Sequence, residues 1–282
     1  MVNANTITAC ADERHHAAAR ERADGSISLS FTKVAMTLRV RLLLLVLAVL
    51  IPTAGLFVWI VAATYLRETE SAQQRLRETT RALALVVDRE LDQRAAIART
   101  LASSSAIAQG DLQRFYNEAK AASLDTGNWV VLVDNENQLL NTSVPYGTPL
   151  PKRTWTPDRP LTTSAPQVSD LRIGPVSKKP VLAVFAPDKA FNPTRYNVGV
   201  VFTPTVLQTI VDDQHLPEGW LAGVIDREHT VVARKPYPER WVGKPSQPRL
   251  VQALAAKPEG FIETVSFDGV PVLAFYSRSP TY

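Results

Sequence analysis

NWVVLVDNENQLLNT, residues 128–142, reads as two short strands around a polar turn. Trp, Val and Leu crowd its first run, and Asp134-Asn135-Glu136-Asn137 supplies turn chemistry before the second. The pattern returns at residues 219–234, GWLAGVIDREHTVVAR, with Asp226-Arg227-Glu228 in the turn. Trp129 and Trp220 are 220 − 129 = 91 residues apart. The same offset joins Pro145-Tyr146 to Pro236-Tyr237 and Pro157 to Pro248. It also joins Pro180-Val181-Leu182-Ala183 to Pro271-Val272-Leu273-Ala274, with Phe185 matched in kind by Tyr276. One gap-free offset through separate blocks is the mark of an internal repeat.

Working outward, each unit shows one order of elements. A helix leads in, over residues 111–123 in the first unit and 204–214 in the second. Thr203 is the expected cap of the latter, with Pro204 at its first position. Two strands follow, then a variable Pro-rich segment, then antiparallel strands near 180–186 and 271–277. The first unit adds a strand over residues 197–202, and the second inserts a helix over 249–256. This order predicts an α+β fold with antiparallel sheets. At an offset of 91, no counterpart of residues 197–202 is found before Tyr282. The expectation is a truncated second unit with an unpaired sheet edge.

Proline separates these units from what precedes them. Of twenty prolines, only Pro52 comes before residue 145, so the first half is free to be helical. Residues 42–66, LLLLVLAVLIPTAGLFVWIVAATYL, hold no charge. At about 1.5 Å per residue they cross a hydrocarbon core of about 30 Å, and they exceed a signal-peptide core. Arg39 and Arg41 before the run place the N-terminus on the cytoplasmic side. Residues 1–41 then form a cytoplasmic tail, and MTLRVRLLLL from Met36 makes Met36 a candidate true start. Residues 67–110 read as a helical neck, without Gly or Pro to Gln109. Leu76, Leu83, Val87, Leu91, Ala98 and Leu101 form its apolar stripe, with Gly110 as stop and Asp111 as the next cap. A homodimer contact near Leu76 and Leu83 is a candidate use of that stripe. The domains expected are thus 1–41, 42–66, 67–110, a unit at 111–203 and a unit at 204–282.

The span, the long helix and the tandem PAS-like units resemble a double Cache sensor module. The likeness rests on ALALVVDREL, GNWVVLVDNENQLLNT and PVLAVFAP and covers residues 38–282. It is nearest to the extracytoplasmic input of bacterial sensor histidine kinases. The resemblance implies a membrane-distal first unit that binds a small periplasmic ligand between its sheet and the linking segment. On this chain that maps to residues 141–170 and the strand at Phe185. Asn141, Tyr146, Arg153, Trp155, Asp170 and Phe185 are the candidate ligand contacts, with Arg153 suited to a carboxylate. The Tyr-Arg-Trp-Asp pattern of amino-acid-binding double Cache modules is not recognisable here. A second membrane helix and an output domain are implied beyond Tyr282.

Other chemistry is sparse. With 31 Lys and Arg against 27 Asp and Glu, scattered along the chain, no nucleic-acid stripe forms. Cys10 is the lone cysteine, which excludes an intrachain disulfide and a cysteine zinc site. His215 and His229 read as surface residues, at a helix end and in a turn. No phosphate loop, HExxH or GxSxG motif occurs, so neither a cofactor nor catalysis is expected in these residues. Chemoreceptor or diguanylate cyclase input, and a structural or partner-binding module on a membrane anchor, are the alternatives.

Overall fold

The computed structural model describes residues 38–124, 127–152, 166–191 and 194–282. The chain divides into two compact units, residues up to Ala62 and Ala63–Tyr282. Helix α1, Leu38–Ala102, has a segment in each. Every side chain from residue 38 to residue 62 is exposed, and this segment is long and apolar enough to cross a membrane. Pro52 sits within it. Beside it, the Thr53 hydroxyl donates to the carbonyls of Val49 and Leu50 at 2.9 and 3.0 Å, so that polar group is satisfied inside the helix.

In the second unit the neck stripe is buried at Leu83, Val87, Leu91, Ala98 and Leu101, with Ala95 beside them, and only half-buried at Leu76. The helix stops sooner than expected, at Ala102 rather than near Gln109. Ser104 takes an extended conformation and its side chain accepts from Ala106 N, starting a separate helix α2, Ser105–Gln109. A serine's local hydrogen bonds to the backbone compete with helix continuation, and three serines in a row offer that competition here. Gly110, at φ 73°, then turns the chain, and Asp111 Oδ1 accepts from Arg114 N at 3.0 Å to cap α3, Leu112–Ala122.

The main sheet is antiparallel, with strand order β2-β1-β6-β5-β3 and β4 also on β5. Its strands are β1 Trp129–Val133, β2 Gln138–Asn141, β3 Gln167–Val168, β4 Arg172–Ile173, β5 Pro180–Pro187 and β6 Asn197–Phe202. Alternation sorts their side chains. Val130, Leu132, Leu140, Ala186, Val198 and Val200 pack with α2 and α3. Leu182, Val184 and Phe202 pack with Leu83, Val87 and Leu91 of α1. The residues between them turn to the other face, where Val131, Val133, Val181, Ala183 and Val201 cluster with Trp129 and Phe185. Where α1 crosses β6, Arg94 is 4% exposed. Its guanidinium lies 4.4 Å from the Phe202 ring centre, with Nη1 on Glu90 Oε1 at 2.6 Å and Nε on Asn128 Oδ1 at 3.2 Å.

The remaining elements are α4 Thr205–Asp212, β7 Ala222–Ile225, β8 Val231–Lys235, α5 Pro238–Trp241, α6 Pro248–Ala256, β9 Glu259–Val265 and β10 Pro271–Ser277. Thr203 is not the cap expected. Pro204 holds the N-cap position, and Thr203 offers Val206 N its backbone carbonyl. The first hairpins of the two repeats correspond one residue away from the sequence alignment. Both carry a bulge, at Leu132/Val133 and at Val224/Ile225, which gives 224 − 132 = 92. Ala222 and Val224 accordingly face the helices, as Val130 and Leu132 do. A one-residue slip reverses every side chain of a strand, so the shift decides which residues face which way. β7–β8 and β9–β10 form separate two-stranded sheets. β6 lies between β1 and β5, and among the described residues no strand lies between β7 and β10.

Candidate functional site

The face of the main sheet turned away from the helices is apolar, with polar groups at its ends. Three strands build its centre. Gly199 of β6 pairs with Val131 of β1 on one side and Phe185 of β5 on the other. A Cβ on Gly199 would stand 2.5 Å from Phe185 Cε1 and 2.9 Å from Val131 Cγ2. The Phe185 ring therefore lies over Gly199, and only glycine leaves it that room. Two positions along β6, alternation puts Asn197 on this face, opposite Val133 and Pro187. Asn197 is 4% exposed, and its Nδ2 has no acceptor among the described residues. A buried donor without a partner costs about 1–3 kcal/mol, which an acceptor placed beside it would offset. At the end of β2, Asn141 lies opposite Val131 and is equally buried. Its Oδ1 accepts from Ser143 N at 2.9 Å and Ser143 Oγ at 2.7 Å.

Of the six residues singled out in the sequence, the fold brings Asn141 and Phe185 to this face. Arg153 and Trp155 lie outside the described residues. Tyr146 belongs elsewhere: it is largely exposed and meets Tyr116 of α3 edge-on at 5.5 Å, while Tyr116 Oη donates to Val144 O at 3.0 Å. Asp170 is also diverted. It is buried, but its Oδ1 accepts from Arg227 N at 3.1 Å and stands 3.8 Å from Arg227 Nε. Sequence reading passed over Asn197 and Gly199. The alternation in NVGVVF was the available signal, since it puts Asn and Gly on one face and Val and Phe on the other.

Asp170 is part of a junction between the segment after β3 and the turn of β7–β8. Asp226 Oδ2 accepts from Leu171 N at 2.9 Å and Oδ1 accepts from Thr230 N at 2.7 Å. Arg227 donates to Val168 O, and Arg172 pairs with Glu228. Burial pushes the Asp226 carboxyl above the ordinary range. The two backbone donors oppose that shift, and the charges of Asp170 and Glu228 add to it. On the other side, Ser169 is tied to β5: Ser169 N donates to Ala183 O at 2.8 Å and Ala183 N to Ser169 Oγ at 2.9 Å. Among the described residues no three His, Cys, Asp or Glu side chains are placed to hold a metal ion.

The architecture can be set against solved structures. The extracellular domain of rpHK1S-Z16, assigned as a histidine kinase, aligns with a TM-score of 0.54 at 16% identity, over 75% of this chain and 91% of that one. The ligand-binding domain of the Campylobacter jejuni chemoreceptor Tlp3, solved with L-valine, gives 0.53 at 15% identity, over 72% and 87%. The extracellular domain of mmHK1S-Z2, of the same assignment as the first, gives 0.53 at 12% identity, over 74% and 92%. The chain has a Cache-type fold. No protein-family model matches the sequence, and no curated protein does. Within this Cache-type fold, the sheet face of Asn141, Phe185 and Asn197 is the one turned away from α1, α2 and α3.

Proposed function

We propose that the chain is the extracytoplasmic ligand-sensing input of a membrane-anchored signalling protein, with a histidine kinase as output. Residues 42–66 cross the membrane, residues 1–41 lie in the cytoplasm, and residues 111–203 and 204–282 act as two sensor units outside. The observation that carries the ligand reading is Asn197, a buried amide donor without a described partner on an apolar sheet face. Such a face with one or two placed polar groups suits a small molecule bearing an acceptor. Arg153 and Trp155 are proposed as further contacts of the same ligand. Because the Tlp3 neighbour was solved with L-valine, aliphatic amino acids are the first compounds to try.

The signal runs from β5 through Ser169 to the Asp170–Asp226 junction, and so to the second unit. A ligand moves such an equilibrium only as far as it favours one arrangement. Pairing of two copies through the neck belongs to the same reading but does not use Leu83. That side chain is 6% exposed and packed within its own chain, among Leu182, Phe202 and Val232.

The test is a thermal-shift screen of the full chain in lipid nanodiscs against small metabolites, since a ligand of the native state raises stability by RT ln(1 + [L]/Kd). An upward shift lost in Asn197→Ala, and in Arg153→Ala or Trp155→Ala, supports the reading. A shift that survives all three variants places the ligand elsewhere and overturns the site.

A further inference from the structure

Each repeat has a leading hairpin and a later strand with partners of its own, but only the first repeat joins the two. There β6 lies between β1 and β5 and runs antiparallel to both. In the second repeat β7–β8 corresponds to β1–β2 through its bulge, and β10 to β5 through the Pro-Val-Leu-Ala that opens each. β10 pairs with β9 on one side, as β5 does with β3 and β4. Among the described residues no strand pairs with its other edge, nor with the edge of β7 away from β8. A void of about 880 Å³ lies between those two edges. Val224 of β7, Ala274 of β10, and Leu83 and Val87 of α1 are on its wall, with Val168 and Tyr282.

Burial marks the same place. β6 is buried at all six of its residues. Beside it, every residue of β1 after Trp129 is buried, whereas no residue of β7 is. Leu182 of β5 is 3% exposed, and its counterpart Leu273 is 38% exposed. The backbone agrees, because alternate residues of an antiparallel strand turn their N–H and C=O to alternate neighbours. Ala183 turns both groups to Ser169, so Leu182 and Val184 turn theirs to β6. Val130 likewise meets Thr142, so Val131 turns to β6 from the other side. The corresponding residues, Leu273 and Phe275 on β10 and Gly223 on β7, turn to the void. Thr80 Oγ1 donates to Phe275 O at 3.5 Å, which is long for a hydroxyl donor. Open edges of this kind are templates for a further strand.

We infer that the second repeat is a strand acceptor: one extended peptide segment adds between β7 and β10, antiparallel to both. The occupant carries apolar side chains at alternate positions, as β6 does with Val198, Val200 and Phe202. Those side chains turn to Leu83 and Val87 of α1, and the backbone completes both ladders. Main-chain bonds then supply the affinity and the alternate side chains the selectivity. The other face is less demanding than in the first repeat. Gly223 has no side chain there, and Tyr276 is drawn to α6 by its hydroxyl on Ala253 O at 3.1 Å. The residue between them is therefore free to be larger than Gly199.

The probe is a synthetic peptide of residues 195–204, RYNVGVVFTP, which is β6 with its flanks. It is titrated into the full chain in nanodiscs by calorimetry, with amide hydrogen exchange read in parallel by mass spectrometry. Binding is expected to saturate and to slow exchange in β7 and β10. A peptide with Val198→Pro and Val201→Pro loses one donor toward each neighbouring strand and binds about tenfold more weakly or worse. A scrambled peptide of the same composition loses the alternation and also binds more weakly. Because these changes are made in the peptide, the fold of the chain is untouched. No saturation, equal binding by either control peptide, or slowed exchange confined to other strands each overturns the acceptor.

Discussion

Replacing Gly199 by alanine tests the packing of the candidate ligand face directly. The new Cβ would stand 2.5 Å and 2.8 Å from two Phe185 ring carbons and 2.9 Å from Val131 Cγ2. Carbon atoms prefer about 3.5–4.0 Å, so about 1 Å of overlap must be relieved. Phe185 is held between two neighbouring strands, and relief means leaving its rotamer or bending β6. Overpacking of this kind costs about 1–3 kcal/mol. Taking about 2 kcal/mol in a unit of this size, Tm falls by about 4–8 °C. The discriminating assay is a double-mutant cycle read by chemical denaturation of the full chain. In the Phe185→Ala background the two closest contacts are gone and only the Val131 contact remains, so the cost of Gly199→Ala drops by half or more. The coupling energy is then about 1 kcal/mol or larger, beyond the scatter of independent sites. An equal cost in both backgrounds would refute the placement of the Phe185 ring over Gly199.

Three other outcomes follow from the same geometry. Arg94→Lys loses the hydrogen bond to Asn128 and the flat contact with Phe202, and stability falls by about 1–3 kcal/mol at unchanged denaturant m-value, despite the retained charge. Asp188 takes four backbone donors, Ala190 and Phe191 on Oδ1 and Arg195 and Tyr196 on Oδ2. Asp188→Asn turns an amide against two of them, and the denaturation midpoint drops by an amount equivalent to about 2–4 kcal/mol. Asp226 has a carboxyl raised in the folded state, so the native chain holds that proton more tightly than the unfolded chain. Its favourable contribution is present below the unfolded value and is lost as pH rises through the folded one. Wild type therefore loses stability relative to Asp226→Asn as pH climbs from about 4 through that window, and a difference rising with pH would contradict the burial of this group.

The two repeats were legible from two kinds of signal, and each has its own blind spot. The Trp-led strand pairs and the turn acids fixed hairpins at β1–β2 and β7–β8, because β-branched runs and Asp-rich turns are local chemistry. Facing is not local in that sense. The 91-residue offset set Gly223 against Leu132, while the bulges and the core set Val224 there, since one residue inserted before β7 reverses every side chain after it. The neck was read as one helix because Gly and Pro are absent to Gln109, yet Ser104 ends it through a cap that propensity does not encode. Among the candidate residues, the facing of Phe185 is legible because it lies in a strand of clear alternation, whereas Tyr146 and Asp170 have polar tips that serve a ligand and a structural partner equally well. Which use prevails depends on Tyr116 and Arg227, residues 30 and 57 positions away in the chain.

The diversion of Asp170 bears on how the second repeat responds to the first. Asp170 and Asp226 each accept a backbone N–H from the other's repeat, and both contribute negative charge to one small volume. Backbone donors make that volume tolerable, but like charges and burial act against it, as the raised Asp226 carboxyl reports. A hydrophobic contact of the same extent would hold the repeats together with no such opposing cost. The segment of Asp170 is also continuous with β3, which pairs Gln167 with Phe185, and with Ser169, which pairs with Ala183. A displacement of Phe185 by a ligand would thus act on the strand whose next residues carry the junction. In the proposed sensing reading, the two carboxylates lie on the path from the ligand face to the second repeat, through β3 and Ser169.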